Sequence, residues 1–582
     1  AIIAATLSFI AIFTPFLIVP GLVSLLFREL ILVIAAVVII SLVTAITLTP
    51  MLTSVLLGSS SIADSENTAF QRFFRRVTEA YGIVLTSVLK YRWSAIIFAI
   101  FVILMVVLAL PNVGSEFLPR MDDGRVLIKT RLPTGASVQE TDKVLRSIEE
   151  IIANEPMVES YFTLVGGKIW GLYTYLIANE GQIDIQLVPH HQRKISTLEY
   201  IKRLRPKISK IGVPGGMAMV MPMPVKGIRR LGEADIEVKI KGQDLSKLFE
   251  LAQATSSAMN RLAHFTNVYV SMDLTKPEYQ IRVDRQLASE KGVSISDIAN
   301  TSRSLIQGTV ATRFRDGDRY YNVRVVIPER DIRSKLDVEN LVLESSQGGY
   351  LRIRDVAKVV QAVGPVEIVR EDQVKSVIIR GDAAGVTVGQ ALAELKEALA
   401  KLDKPVGYQV TFGGQALMMA EMKQTTMTIL AFALFFSFVV LAVQFNSLKL
   451  PSLILSCVPL CLAGLIYMLY LANIPLGATV VIGALVVIAA TVNEGVLLLT
   501  FAEELRSLKQ LSSTEAVIQA AKIRLRPRLM TTIPIIMGLI PLALNIEEGG
   551  DMLQPMAVGA IGGLIMLVPV ALFFMPCIYV LS

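Results

Sequence analysis

Asn493-Glu494-Gly495 places a carboxamide and a carboxylate within an apolar run that extends from Val480 to Phe501. A charge in hydrocarbon is costly, so an ionisable residue inside a span is a functional candidate by default. Glu494 could bind and release a proton there. It could equally accept a hydrogen bond from a neighbouring helix, or face a watery crevice without titrating usefully. A second polar group opens the next apolar run, Arg524-Leu525-Arg526-Pro527-Arg528-Leu529-Met530-Thr531-Thr532. Its arginines read first as anchors at the aqueous boundary, and its threonines as donors to their own helix.

The polar stretch 114–424 offers a different chemistry. Tyr161, Phe162, Trp170, Tyr173 and Tyr175 surround Gly166-Gly167. They could line a pocket for apolar ligands, which is the usual lining of such pockets, or simply fill a core. Met217, Met219, Met221 and Met223 alternate and so share one face of a strand. Thioether sulfur suits Cu(I), yet a methionine row also serves as adaptable core or as a promiscuous apolar surface. His190, His191 and His264 read as surface residues. Cys457 and Cys461 are four apart in an apolar run and read as small packing residues rather than a metal pair. The stretch has no nucleophile triad, phosphate-binding loop or metal-ligand spacing, so neither an enzyme nor a cofactor is expected.

The elements that position these residues follow from hydropathy. The chain is 53% hydrophobic. Eight runs are long enough to cross a hydrocarbon core of about 20 residues: 2–26, 31–57, 93–112, 426–445, 450–471, 477–502, 529–546 and 556–581. Loops on the side opposite the polar stretch hold Arg72, Arg75, Arg76, Lys90, Arg92, Lys449, Arg506, Lys509, Lys522, Arg524, Arg526 and Arg528. Basic loops are cytoplasmic, so the polar stretch is extracytoplasmic, and the net charge of +7 belongs to membrane topology rather than to nucleic-acid binding. The three cysteines all fall in apolar runs, which leaves the exported stretch without disulfides.

Thr6, Pro15 and Pro50 have the same spacings as Thr532, Pro541 and Pro576, each set along two apolar runs. A repeat of this kind is the sign of a duplicated module. The chain then starts with the tail of one module (1–57) and continues into a second. On that reading the intact protein has on the order of 1,000 residues and twelve spans. The linker 58–92 is polar and then amphipathic, suited to the cytoplasmic membrane surface. Span 93–113 leads into the exported stretch. There Val126–Leu132, Ser137–Asn154, Val158–Leu164, Gln182–Val188, Thr197–Lys210 and Met217–Met223 give the order βαββαβ, a split-βαβ unit over 114–230. A second such unit takes 231–274 and 373–416. The insertion 275–372 carries a helix at Ser296–Gln307 and a hairpin turning at Asp316-Gly317, and 417–582 holds five spans. The fold class is therefore an α+β membrane protein with two ferredoxin-like lobes.

In combination, three motifs resemble the inner-membrane permease of resistance–nodulation–division (RND) efflux pumps. They are Phe117-Leu118-Pro119-Arg120-Met121-Asp122-Asp123-Gly124, Leu48-Thr49-Pro50, and Arg524-Leu525-Arg526-Pro527 with Leu529-Met530-Thr531. The likeness covers the chain's whole length but only the carboxyl-terminal part of such a pump. The resemblance implies a homotrimer of the bacterial inner membrane, driven by proton antiport. It would pass small amphiphilic substrates to a periplasmic adaptor and an outer-membrane channel. It also implies a proton relay through Asn493, Glu494, Arg524 and Thr531. Substrate contacts would come from Phe162 and, more loosely, Trp170, Tyr173 and Tyr175. The two lobes look like porter subdomains and 275–372 like the docking or funnel subdomain. The family's proton-carrying aspartates lie in a span this chain lacks, and Asn493 stands where a basic partner is usual. In metal-exporting relatives the key methionine falls near Gly227, which favours organic substrates here. A Cu(I)/Ag(I) exporter and a non-transport assembly or secretion factor remain the alternatives.

Overall fold

A computed structural model of the chain describes residues 2–56, 69–91, 93–170, 173–223, 234–328, 331–403, 405–546 and 549–581. Among these, six helical segments are long and apolar enough to cross a membrane: Leu22–Val55, Trp93–Asn112, Gln415–Phe445, Lys449–Leu471, Ala478–Lys509 and Gln554–Leu581. Ile2–Ile18 is shorter, and Ser513–Ala543 begins polar and ends apolar. Ala478–Lys509 is enclosed on nearly all sides from Ala478 to Leu505, as a helix that is apolar all round must be.

The first two expected runs, 2–26 and 31–57, are displaced. Helix Ile2–Ile18 ends before Pro20-Gly21 and the next begins at Leu22. Proline disfavours helical geometry in the residue before it, and Gly21 sits at φ 153°. The helix then changes course at Thr47, just ahead of Leu48-Thr49-Pro50. The matching position near the other end of the chain is a π-helical turn, Val570–Phe574, just ahead of Pro576. Both irregularities have the same cause. A proline has no N–H to donate, and its ring displaces the carbonyl four residues back.

Small residues let the bundle close. A Cβ on Gly562 would lie 2.3 Å from Met468 Cβ and 2.6 Å from the Gly464 carbonyl, whereas one on Gly538 would meet nothing within 4 Å. Close backbone approach at glycine is the main device of membrane helix packing. Gly562→Ala is therefore expected to cost about 1–3 kcal/mol through overpacking. Gly538→Ala should be neutral or slightly favourable. Unfolding of the purified protein in detergent separates the two, and equal effects would refute the packing argument.

In the polar stretch, β1 (Arg125–Arg131), β2 (Val158–Trp170), β3 (Tyr173–Leu187) and β4 (Met217–Pro222) form an antiparallel sheet in the order β2-β3-β1-β4. Helices Val138–Ala153 and Thr197–Ser209 cover one face, enclosing Val126, Ile128, Leu145, Ile148, Ile183 and Leu204. Between the expected strands Val158–Leu164 and Gln182–Val188 the described residues are largely sheet: β2 and β3 run on into a long hairpin. The register shifts between Val165 and Gly167 around Gly166 (φ 70°), which breaks the alternation that marks a strand in sequence.

Next come β5 (Ile236–Gly242) and β6 (Phe265–Val270), followed by the insertion. The insertion contains β7 (Lys276–Val283), β8 (Thr309–Asp316), β9 (Arg319–Val325), β10 (Val342–Glu344), β11 (Tyr350–Arg352) and β12 (Ala357–Gly364). The β8–β9 hairpin is exposed at every position and turns at Gly317, as its Asp-Gly pair predicts. A short β13 (Arg370–Glu371) leads to β14 (Val374–Ala383) and β15 (Gln409–Gly414). These join the earlier pair so that β6, β14, β5 and β15 are adjacent in turn, repeating the first sheet's order. The Met row of β4 lies on the helix-free face of the first sheet. There Leu127, Met219 and Met221 are buried against Tyr269 of β6.

Candidate functional site

Within the bundle, Glu494 comes from helix Ala478–Lys509, and Arg528 and Thr531 from Ser513–Ala543. The Thr531 hydroxyl lies 3.3 Å from Glu494 Oε1 and 2.8 Å from the Arg528 carbonyl. Arg528 Nε stands 4.0 Å from Glu494 Oε2, and Nη2 donates to the Leu567 carbonyl at 3.2 Å, just before the π-helical turn. The two charged side chains are only 5% and 11% exposed. Arg528 Nε has no hydrogen-bond acceptor among the described residues, so Glu494 is its nearest compensation. Close by, Pro576 cannot donate to the carbonyl of Leu572, and Tyr81 Oη does so instead at 2.8 Å.

The geometry sorts the residues named from sequence. Glu494 and Thr531 meet. Asn493 is half-buried and makes no side-chain hydrogen bond to the described residues. Arg524 is half-buried one turn before Arg528 and has no ion pair among them. Arg528, read from sequence only as an anchor, is the arginine that enters the bundle. Its signal was the spacing Ala521, Leu525, Arg528, Thr532, a single buried stripe. Further along Ala478–Lys509, about 13 Å from Glu494 at 1.5 Å per residue, Glu503 accepts from Tyr579 Oη at 2.7 Å. Arg506 lies 3.6 Å from Glu503. These three residues line a cavity at that end of the bundle. Cys457 and Cys461 are buried, and no group of three or more His, Cys, Asp or Glu is placed to share an ion among the described residues.

The segment 116–125 ties the bundle to both lobes. Phe117 is buried in the bundle's core. Arg120 lies 3.4 Å from Asp235, beside β5, and donates to the Ala383 carbonyl at 3.2 Å. Burial pushes the Glu116 carboxyl up, against the opposing pull of Arg120 at 3.9 Å. Asp122 pairs with Arg193 at 2.8 Å and accepts from both the N–H and the hydroxyl of Thr197. Desolvation works against its ionisation, but these donors outweigh it and hold the carboxyl below its usual range. The Asp122 N–H in turn donates to Asp551 Oδ2 at 3.0 Å, in the loop joining two membrane-bundle helices.

Phe162 and the Met row prove to share a surface. Strand register aligns Phe162, Asp184, Leu127 and Met221 in one row across the helix-free face. Phe162 is 55% exposed. Burial raises the Asp184 carboxyl, opposed by a hydrogen bond from Gln182 and by Lys129. Tyr173 and Tyr175 are exposed near the hairpin's end and make no ring contact with Phe162. The Trp170 backbone pairs with Tyr173, while its side chain lies outside the described residues, as does Gly227.

Two crystal forms of a heavy metal efflux pump have similar structures, each with a TM-score of 0.84 at 22% identity. The matches cover 100% and 99% of this chain and 57% of those chains, so the chain spans little more than half their length. At that identity the likeness speaks for the fold. The family model of the AcrB/AcrD/AcrF proteins matches residues 1–582, and the chain therefore belongs to that family, the RND permeases that its motifs at 117–124 and 524–531 resemble.

Proposed function

We propose that the protein carrying this chain is a proton-driven exporter of hydrophobic and amphiphilic compounds. The chain forms eight spans of a permease that sits in the bacterial inner membrane with its two porter lobes in the periplasm. It works as a homotrimer with an adaptor and an outer-membrane channel, and the gradient of protons replaces any cofactor. The observation that carries this reading is the buried Glu494–Arg528–Thr531 cluster. A carboxyl held between a hydroxyl and a guanidinium, inside a bundle, changes its neighbours' electrostatics when it gains a proton. The exposed Phe162, in strand register with the buried Met221, gives the exported side an apolar side chain backed by an adaptable methionine cluster.

Thr531→Ala removes one donor to Glu494. A hydrogen bond to a charged group contributes about 1.5 kcal/mol or more, so efflux should fall roughly tenfold with membrane insertion unchanged. Unchanged efflux would remove Thr531 from the relay. A Cu(I)/Ag(I) exporter is the second reading, favoured by four methionines on one sheet face. Metal-resistance rescue lost on Met219→Ala with Met221→Ala would select it. Rescue of neither drug nor metal sensitivity would select a non-transport assembly factor.

A further inference from the structure

Helix Ala69–Lys90 has two working faces. Tyr81, Leu85 and Leu89 are buried in the bundle, which corrects the picture of a helix merely resting on the membrane surface. Lys522 lies across it at Gly82, where a Cβ would come within 2.0 Å of the lysine Cε. The Arg526 guanidinium sits over the Phe74 ring, 5.9 Å from its centroid. The other face turns outward. Arg72, Arg76, Glu79, Ile83, Ser87 and Lys90 follow one helical stripe, flanked by Phe73 and Val84. Phe73 and Ile83 are 63% and 70% exposed. Glu79 is the one acidic residue between 69 and 90, and it is taken up by Arg75 at 3.8 Å.

Tyr91 and Trp93, both about two-thirds exposed, follow immediately and open the next span. Such aromatic residues mark the headgroup level of a bilayer. An outward stripe of this composition, leading to that aromatic pair, suits a membrane interface, where apolar side chains meet acyl chains and arginines meet phosphates. We infer that the outward face of this helix around Arg72 and Arg76 is a binding site for an anionic phospholipid of the adjacent leaflet. The inference stands apart from what the protein exports.

The test uses the full-length protein purified in neutral detergent, with native mass spectrometry counting bound phosphatidylglycerol against phosphatidylcholine. Each basic residue near a membrane surface strengthens anionic-lipid binding about fivefold. The wild type should thus retain phosphatidylglycerol well over tenfold better than phosphatidylcholine. Arg72→Gln with Arg76→Gln should abolish that preference, and the corresponding two lysine replacements should keep it. Equal retention of the two lipids, an unchanged preference in the glutamine variant, or displacement of the lipid by inorganic phosphate would each overturn the site. Should the glutamine variant misfold, raising the ionic strength about tenfold decides with the wild type alone. The preference must shrink, and one that does not shrink refutes the proposal.

Discussion

Arg528→Ala is expected to destabilise the helix bundle by about 3–5 kcal/mol and, on the function proposed above, to abolish export by the full protein. The argument rests on what the mutation leaves behind. Glu494 is only 11% exposed on its side chain and has Arg528 Nε at 4.0 Å and the Thr531 hydroxyl at 3.3 Å. Without the guanidinium, its largely buried carboxyl keeps one neutral donor, the Thr531 hydroxyl, and the Leu567 carbonyl loses its side-chain donor. Replacing both partners tests whether the loss comes from the uncompensated charge. Two apolar residues of similar volume in place of a buried ion pair are commonly neutral or stabilising. Glu494→Leu with Arg528→Met should therefore recover most of the stability and none of the export. Unfolding in detergent and vesicle efflux under an imposed pH gradient measure the two properties separately. If the double variant is as unstable as the sum of the single ones, the two residues are not coupled and the cluster is no functional pair.

Some of this was legible in the sequence because it depends on local periodicity. The βαββαβ order, the Asp316-Gly317 hairpin and the long apolar helices were each set by patterns within single elements or turns. What misled was local too. Gly166 shifts the strand register and hides the hairpin's continuation in an apparent loop, and Pro20-Gly21 breaks a run that hydropathy alone carries through. The site was only half legible. Glu494 drew attention as a charge within an apolar run, but Arg528 lies among other arginines at a helix's polar end. Only the stripe it shares with Ala521, Leu525 and Thr532 sets it apart. The row of Phe162, Asp184, Leu127 and Met221 was beyond reach, because it is assembled from four strands whose register no single segment encodes.

Asp122 should show the second large effect, and it separates stability from coupling. Arg193 is 1% exposed on its side chain, and its ion partner is the Asp122 carboxylate at 2.8 Å. Asp122→Ala would leave that charge buried with neutral acceptors only: the Thr197 hydroxyl at 3.0 Å and the carbonyls of Asp122 and Ile195. Those acceptors soften the loss, so about 2–4 kcal/mol is expected, at or just below the range for a fully broken buried pair. Asp551→Ala spares this pair and removes the acceptor for the Asp122 N–H, together with the acceptor for the Asn545 side-chain amide. It should change stability little, yet reduce export by freeing the loop near Asp551 from the segment that leads into the first lobe. The pH dependence has a defined sign. The folded Asp122 carboxyl lies below its unfolded value of about 3.9, so its contribution is complete above that pH and is lost as pH falls through the folded value. The gap in stability between wild type and Asp122→Asn should accordingly be constant near neutrality and close below about pH 4. Glu116 runs the other way, since burial raises its carboxyl: its contribution is greatest in acid and is lost as pH rises through the folded value. Glu116→Gln should therefore be most favourable, relative to wild type, near neutral pH. Parallel pH profiles for the two variants would contradict the opposite environments that the linking segment gives its two carboxylates.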